Sequence, residues 1–282
     1  YIIPSNSIKI DDSYIFKRRE NYWAKDSPFS RYKYNFDTIR VATGNTNGEM
    51  LFEKFKEGDQ DFFNVKRSTR WIEETDFNSV QKGWIKKQRI FSEKPAGTSG
   101  YYFNMREWPF NDRNVRYAFS YLYDREELNR EIYFNEYGMM NSLYSGSVYE
   151  NKNNSVFKYN PEKAIRLLKE AGYSKRNSDG WLVHDVTGNV LSFEIIIPKT
   201  NAYMVTPFQQ KLKEYGVDMQ IKLMNFSTMI KNVNARNFNI CLLAYSGLLF
   251  PNPEASLLSK LADQNGSNNI WGFKSRRVDE LL

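Results

Sequence analysis

The two side chains most suited to nucleophilic chemistry occur once each, His184 and Cys241. A thiolate mechanism needs its base within hydrogen-bond reach. His184 stands beside Asp185 just before a turn sequence, where a lone imidazole is a surface group. Cys241 lies in the apolar run 240–244, where a thiol packs as a small hydrophobe. Nothing in the spacing brings the two together. Gly97-Thr98-Ser99-Gly100 lacks the glycine two residues after the serine that a nucleophile elbow needs. Gly44 and Gly48 are not followed by the Lys-Ser/Thr of a phosphate loop. Asp263, Asn265 and Gly266 lack the spacing and distal glutamate of a calcium loop, so a polar turn is expected there. Asp59 and Asp61, at i, i+2, could share one face of a strand, while Glu73 and Glu74 diverge on a helix. Ordinary solvation accounts for both pairs. The survey leaves no catalytic set, no metal set and no cofactor motif. A binding protein is expected, not an enzyme.

These residues belong to a chain of 282 residues, 41% hydrophobic and 16% aromatic. That is enough apolar side chain to offset ordering entropy and build one or two domains. A net charge of +7 admits acidic partners. The densest basic group, Lys82, Lys86, Lys87, Arg89 and Lys94, accompanies no nucleic-acid motif and reads as a solvated face, so no nucleic-acid partner is expected. The longest apolar stretch, 240–250, is broken by Ser246 and Gly247 and falls short of the roughly 20 residues that span a bilayer. A single cysteine excludes an internal disulfide. The chain starts at Tyr1 without methionine and stops at Leu282 in a helix-like stretch, so both ends are expected to be cut.

Residues 14–19 and 36–41 read as strands. Residues 49–57 place Met50, Leu51, Phe52 and Phe55 at helical spacing, with Gly58 as the stop. Residues 61–65 read as a short strand, and Ser68 as the cap of a helix carrying Trp71 and Ile72. The breaker-rich stretch 94–100 is the expected domain joint. Beyond it, residues 101–105 read as a strand and Asp112 caps a helix facing inward through Val115, Ala118, Phe119 and Leu122. Asp124 with Glu127 starts a second helix. Residues 141–155 are Ser/Asn-rich loop. Asn160, Pro161 and Glu162 begin a helix that buries Ala164, Leu167, Leu168 and Ala171 and ends at Gly172. Residues 181–183 and 190–197 read as a hairpin about Thr187-Gly188-Asn189. A helix at 208–215, a strand at 217–223, a helix capped by Ser227 and a strand at 238–244 follow. Alternating strands and helices predict an α/β fold with a mixed sheet.

In order along the chain, these segments resemble family 5 of the bacterial extracellular solute-binding proteins. That family serves ABC importers of oligopeptides, dipeptides and nickel. Its branch for long oligopeptides and microcin C is the most similar. The resemblance rests on Arg18-Arg19-Glu20-Asn21-Tyr22-Trp23, on Tyr34-Asn35-Phe36-Asp37-Thr38-Ile39-Arg40, and on Phe55-Lys56-x-Gly58-x-x-Asp61. It continues through Phe103-Asn104 and Pro109-Phe110-Asn111-Asp112-Arg113-x-Val115-Arg116-x-Ala118. Leu167-Leu168-x-x-Ala171-Gly172-Tyr173 and the tail from Gly266 to Leu282 complete it.

The resemblance implies a two-lobed, periplasmic-binding-protein-like (type II) fold, present here as a C-terminal fragment. Residues 1–95 would be part of the first, composite lobe and residues 96–282 the second. It implies an oligopeptide captured in the inter-lobe cleft by main-chain hydrogen bonds and hinge closure. It also implies ABC-transporter permease subunits as partners, a monomer, and a periplasmic or extracytoplasmic location, with a lipid anchor in the full-length protein as an option. The loop after the last strand of the second lobe would bind ligand through Tyr245, Ser246, Gly247, Leu248 and Leu249. Gly247 would leave room for a ligand backbone, and Asn64 would face the ligand from the first lobe. Many members carry an aspartate near the position of Leu248 that pairs with the peptide amine. Leucine cannot, which favours long or modified peptides. A sensory module, or the same fold holding a metal chelate or sugar, stays open as an alternative.

Overall fold

The computed structural model describes residues 1–10, 12–42, 48–91 and 95–282. They divide into two units, Tyr1–Gln88 and Arg89–Leu282. Of the residues singled out from sequence, Gly44 and Lys94 lie outside the described residues.

The first unit holds an antiparallel sheet of β1 (Ile8–Lys9), β2 (Ser13–Lys17) and β3 (Thr38–Ala42), in that order. Helix α1 (Gly48–Glu57) buries Phe52 and Phe55 and stops at Gly58, whose φ of 92° suits glycine. The segment expected as a strand at 61–65 is irregular instead. Phe63 packs its ring on Phe52 and Phe55, at 5.2 and 5.5 Å between centroids, so ring contacts hold the segment and no ladder forms. Ser68 is not a cap. It lies within a helical stretch, and the residue before the π-helical turn Arg70–Glu74 is Thr69, which makes no side-chain cap bond. The buried Arg70 pairs with Glu49 and Glu74 and lies 4.5 Å over the Phe52 ring.

The second unit is built on a four-stranded mixed sheet. Its strands are β4 (Thr98–Phe103), β7 (Ser192–Pro198), β8 (Asp218–Met224) and β9 (Ile240–Tyr245), in the order β4-β9-β7-β8. β7 runs parallel to β8 and β9, and β4 runs antiparallel to β9. A separate ribbon pairs β5 (Lys175–Arg176) with β6 (Leu182–Val183). One sheet face packs through Phe193, Ile195, Ile197, Ile240 and Leu242 against helices α2 (Arg113–Leu122), α4 (Pro161–Glu170) and α5 (Ala202–Glu214). The other face packs through Ile196, Cys241 and Leu243 against Met229 and Val233 of α6 (Phe226–Asn234). Covering both faces is why β7 and β9 read as continuous apolar runs.

The helix starts follow the side-chain chemistry of their caps. Asp112 accepts from the N–H groups of Asn114 and Val115 at 2.6 and 3.3 Å. Asp124 accepts from Glu127 N–H at 2.9 Å and opens α3 (Arg125–Glu131), and Asn160 accepts from Lys163 N–H at 2.9 Å. Three expectations are corrected. The hairpin at 181–197 reduces to a single bridge, Val183 to Val190, because the Ile195-Ile196-Ile197 run is drawn into the central sheet. Helix α5 starts at Ala202, six residues earlier than the sequence suggests, and carries Pro207 near its start. Asn225, not Ser227, caps α6, accepting from Thr228 N–H at 2.8 Å while Ser227 donates to the same oxygen.

Candidate functional site

Three parallel strands end together at Pro198, Met224 and Tyr245, and antiparallel β4 starts beside them at Thr98. In open α/β sheets, ligands bind in the crevice outside the carboxyl ends of the strands. The loop leaving β9 lies at that end. Tyr245 sets its ring edge against Tyr102 at 5.6 Å, and Tyr102 stacks on Trp271 at 5.6 Å. The Tyr102 hydroxyl and Thr98 Oγ1 share a hydrogen bond of 2.9 Å, which fixes this aromatic ledge. Burial pushes the Tyr245 phenol up to about 12, with Tyr102 and Cys241 adding to the shift, so it stays a neutral donor at any physiological pH.

Beyond the ledge, Ser246 is exposed and Gly247 half-buried. Leu248, Leu249 and Phe250 then expose their side chains at 61, 64 and 82%, an apolar run that nothing covers among the described residues. The structure changes the reason for Gly247. A Cβ there would lie 2.2 Å from Pro95 O and 2.7 Å from Gly97 N. The chain's own backbone, not a ligand's, occupies that space. Asn64 is exposed in an irregular stretch of the first unit, and Tyr245 belongs to the second. The residues expected from 245 to 249 are therefore contiguous at the sheet end, and Asn64 is in the other unit.

The reactive side chains separate. His184 packs edge-on against Tyr173, in the core on one face of the sheet, at 5.4 Å. Its Nδ1 accepts from the N–H groups of Val186 and Thr187 at 3.4 and 3.3 Å, closing the turn. Cys241 belongs to the core on the other face, where burial pushes its thiol up to about 12. No group of three or more His, Cys, Asp or Glu residues that could hold a metal is found among the described residues.

A feature that sequence reasoning missed lies beside β4. A cavity of about 610 Å³ opens between the first residues of that strand and the segment 140–154. The sequence marks this segment only as loop. The Ser/Asn richness behind that reading is what orders it, through local side-chain turns. Ser145 Oγ accepts from Ser142 N–H at 3.2 Å and donates to Ser142 O at 3.0 Å, Ser142 Oγ accepts from Tyr144 N–H at 3.1 Å, Ser147 Oγ donates to Tyr144 O at 2.7 Å, and Asn151 Oδ1 accepts from Asn153 N–H at 3.0 Å. Arg125 of α3 ties the segment down. Its guanidinium donates to Met140 O at 2.8 Å, Asn141 Oδ1 at 3.2 Å and Phe157 O at 3.1 Å. Arg125→Met should therefore loosen the segment without unfolding the unit. A local loss of about 1.5 kcal/mol, one charged hydrogen bond's worth, corresponds to about tenfold more frequent opening. Limited proteolysis within 140–157 measures this, and an unchanged cleavage rate would mean that the serine and asparagine turns hold the segment alone.

Residues 6–268 match the family described as "Bacterial extracellular solute-binding proteins, family 5 Middle". The probable peptide-binding protein YejA of Agrobacterium fabrum is 27% identical over 308 residues, which cover 96% of this chain and 50% of that protein. The oligopeptide-binding protein AppA from Bacillus subtilis, solved in complex with a nonapeptide, matches with a TM-score of 0.76 and 22% identity, over 98% of this chain and 52% of that one. NikZ from Campylobacter jejuni, solved in complex with Ni(L-His), matches with a TM-score of 0.77 and 21% identity, over 97% and 52%. These likenesses show an α/β, periplasmic-binding-protein-like fold. The chain spans about half the length of the curated relatives it matches.

Proposed function

Since this chain belongs to family 5 of the bacterial extracellular solute-binding proteins, we propose that it is the ligand-capturing part of an ABC importer for oligopeptides. The observation that carries this reading is the end of the sheet. Three strand termini, the Tyr245–Tyr102–Trp271 ledge and the exposed loop 245–249 meet at one place. The peptide lies along that loop and bonds to main-chain groups from Tyr245 to Leu249, so recognition depends little on its side chains. Asn64 faces it from the first lobe, made in part by residues 1–95, and residues 96–282 form the second lobe. Hinge closure between the lobes buries the ligand. The protein works outside the cytoplasm as a monomer, held near its permease by a lipid anchor where one is present.

The position of Leu248 sets the preference. It exposes an apolar side chain where a carboxylate would hold a free amine, so the ligand is long or its amino terminus is modified. Glu254, the nearest acid along the chain, is the first residue of the helical turn Glu254–Leu257, where a carboxylate favours the helix dipole. Leu248→Asp should favour a free-amine peptide over its N-acetylated twin by at least about tenfold, from a charge-assisted bond of about 1.5–3 kcal/mol. Competition calorimetry with matched peptides measures this, and an unchanged ratio removes the amine from this position.

Mass spectrometry of the ligand that co-purifies with the protein at its full encoded length tests the reading itself. Peptides are the expected result. A sugar or metal chelate would keep the fold and overturn the ligand class.

A further inference from the structure

The polar turn expected at Asp263, Asn265 and Gly266 belongs to a second pattern. Asn265-Gly266-Ser267 is an Asn-x-Ser signal for attachment of sugar to the asparagine amide in exported proteins. The sequence holds three such signals, at Asn153, Asn225 and Asn265. Bacterial transferases also grip an acid two residues before the asparagine. Asp263 stands there for Asn265, whereas Asn151 and Leu223 stand there for Asn153 and Asn225. Asn225 is further committed as the cap of α6, where Ser227 donates to its oxygen.

The fold singles out the same residue. Ser267 N–H donates to Gln264 O at 3.2 Å, closing a β-turn with Asn265 at its first corner and Gly266 at the second, where φ is 75°. Gly266 N–H donates to Asn234 O at 3.0 Å, which ties the turn to the end of α6. The other side chains of the signal are bonded within the fold. Ser267 Oγ donates to Leu261 O at 2.7 Å and accepts from Arg236 Nη2 at 2.6 Å. Asp263 accepts from Lys274 Nζ at 2.5 Å and from Arg106 Nε at 3.3 Å. Asn265 is exposed, and no hydrogen bond among the described residues engages its amide.

We propose that Asn265 is an N-glycosylation site, read by a bacterial oligosaccharyltransferase from the five residues 263–267. It rests on the reading of the protein as one that works outside the cytoplasm. The donor is an oligosaccharide joined through a diphosphate to a polyprenyl lipid. The bond from the anomeric carbon of the sugar to the diphosphate oxygen breaks, and its electron pair leaves with the lipid diphosphate. The same carbon bonds to Asn265 Nδ2, which gives up one proton to solvent. An amide nitrogen is a weak nucleophile because its lone pair is shared with the carbonyl. The transferase must therefore orient it by gripping the flanking side chains. In the folded turn, Asp263 and Ser267 are already held by Lys274, Arg106, Arg236 and Leu261 O. Transfer thus precedes docking of the turn, on the newly exported chain, and does not depend on what later packs near it. Once the turn docks, Asp263 and Ser267 make their native bonds, and the glycan on Asn265 displaces none.

The test uses the protein at its full encoded length, purified from the bacterium that encodes it. Trypsin releases Asn265 in the peptide 261–274, between Lys260 and Lys274. Mass spectrometry should find this peptide heavier by one oligosaccharide, with fragment ions that place the sugar on Asn265. Peptides 153–158 and 223–231, which hold Asn153 and Asn225, should carry none. Asn265→Gln should abolish the mass gain, and so should Asp263→Asn. Both variants should fold. Asn265 sits at an exposed corner without a left-handed φ, and the ion pairs of the exposed Asp263 carboxylate are of the kind worth little. Sugar at Asn153 or Asn225 in equal yield, or an unchanged yield in Asp263→Asn, overturns the five-residue signal. Cell fractionation separates the site from the reading beneath it. Protein found outside the cytoplasm with peptide 261–274 unmodified overturns the site and leaves the receptor reading standing. Protein confined to the cytoplasm overturns both.

Discussion

Gly247→Ala is expected to lower the melting temperature by about 10 °C, from a loss of about 3–5 kcal/mol, and Gly247→Val to do little more harm. The damage comes from the first atom added. A Cβ at 247 would stand 2.2 Å from Pro95 O, 2.5 Å from Pro95 C and 2.7 Å from Gly97 N. All three are backbone atoms, so no side chain can swing aside. The crossing is tight from the other side as well. A Cβ at Gly97 would lie 2.0 Å from Tyr245 O and 2.6 Å from Gly247 N, and Gly97 has a φ of 84° that other residues rarely adopt. Two glycines thus let the segment entering β4 cross the segment leaving β9. Thermal denaturation of Gly97→Ala, Gly247→Ala and Gly247→Val measures the effect. A shift within 2 °C for all three would show that the crossing relaxes freely. Lost ligand binding in a Gly247 variant follows from the crossing alone. Leu248, whose side chain is exposed, is the position at which a change tests the proposed ligand contact without this strain.

The elements legible in the sequence are those decided by neighbours a few residues away. Asp112, Asp124 and Asn160 cap because each oxygen reaches an N–H two or three residues on. The stripe Val115, Ala118, Phe119 and Leu122 is buried because its spacing puts it on one face. Local ambiguity produced the errors at caps and helix starts. Asn225 and Ser227 are both good caps, and Asn225 wins because its oxygen reaches Thr228 N–H while Ser227 can still donate to it. Pro207 hid the first turns of α5: as the sixth residue it lies past the four free N–H groups of a helix start and removes one intrahelical bond, and the burial of Val205, Phe208 and Leu212 holds the helix through it. The position of loop 245–249 at the sheet end follows from strand order, which alternating β and α signals suggest. The role of Gly247 was beyond reach, since its neighbour Pro95 is distant in sequence and only the β4–β9 pairing unites them. The cavity was invisible for the same reason: β4 and the segment 140–154 share no local pattern.

Asn104→Leu is expected to be as costly as the glycine variants, for the opposite reason. Asn104 matters for what it bonds and not for what it leaves empty. It is fully buried, and every polar group of its side chain is used. Its Nδ2 donates to Arg236 O at 3.1 Å and Phe238 O at 3.0 Å, which pins the turn that leads into β9. Its Oδ1 accepts from Arg106 Nη1 at 2.8 Å. The same guanidinium donates to Ile270 O and Asn269 O at 2.9 and 3.0 Å, so Asn104 also positions the segment that carries Trp271. Leucine has similar bulk and fills the space, so no cavity forms. It leaves the buried Phe238 carbonyl without its partner, while the Arg236 carbonyl keeps the Phe238 N–H and Arg106 Nη1 keeps Ile270 O. The orphaned carbonyl costs about 1–3 kcal/mol, and the lost bonds to Arg236 O and to the charged Arg106 bring the total to about 3–5 kcal/mol. Urea unfolding should show a lower midpoint with an unchanged slope. Because Trp271 stacks on Tyr102 and Tyr102 meets Tyr245 edge-on, the loss should also reach the carboxyl end of the sheet. Tryptophan emission at a urea concentration well below the unfolding midpoint should shift in Asn104→Leu and not in a surface control such as Asn151→Leu. A loss under about 1 kcal/mol would mean that water replaces the amide at this site, and that the ledge is set by its rings alone.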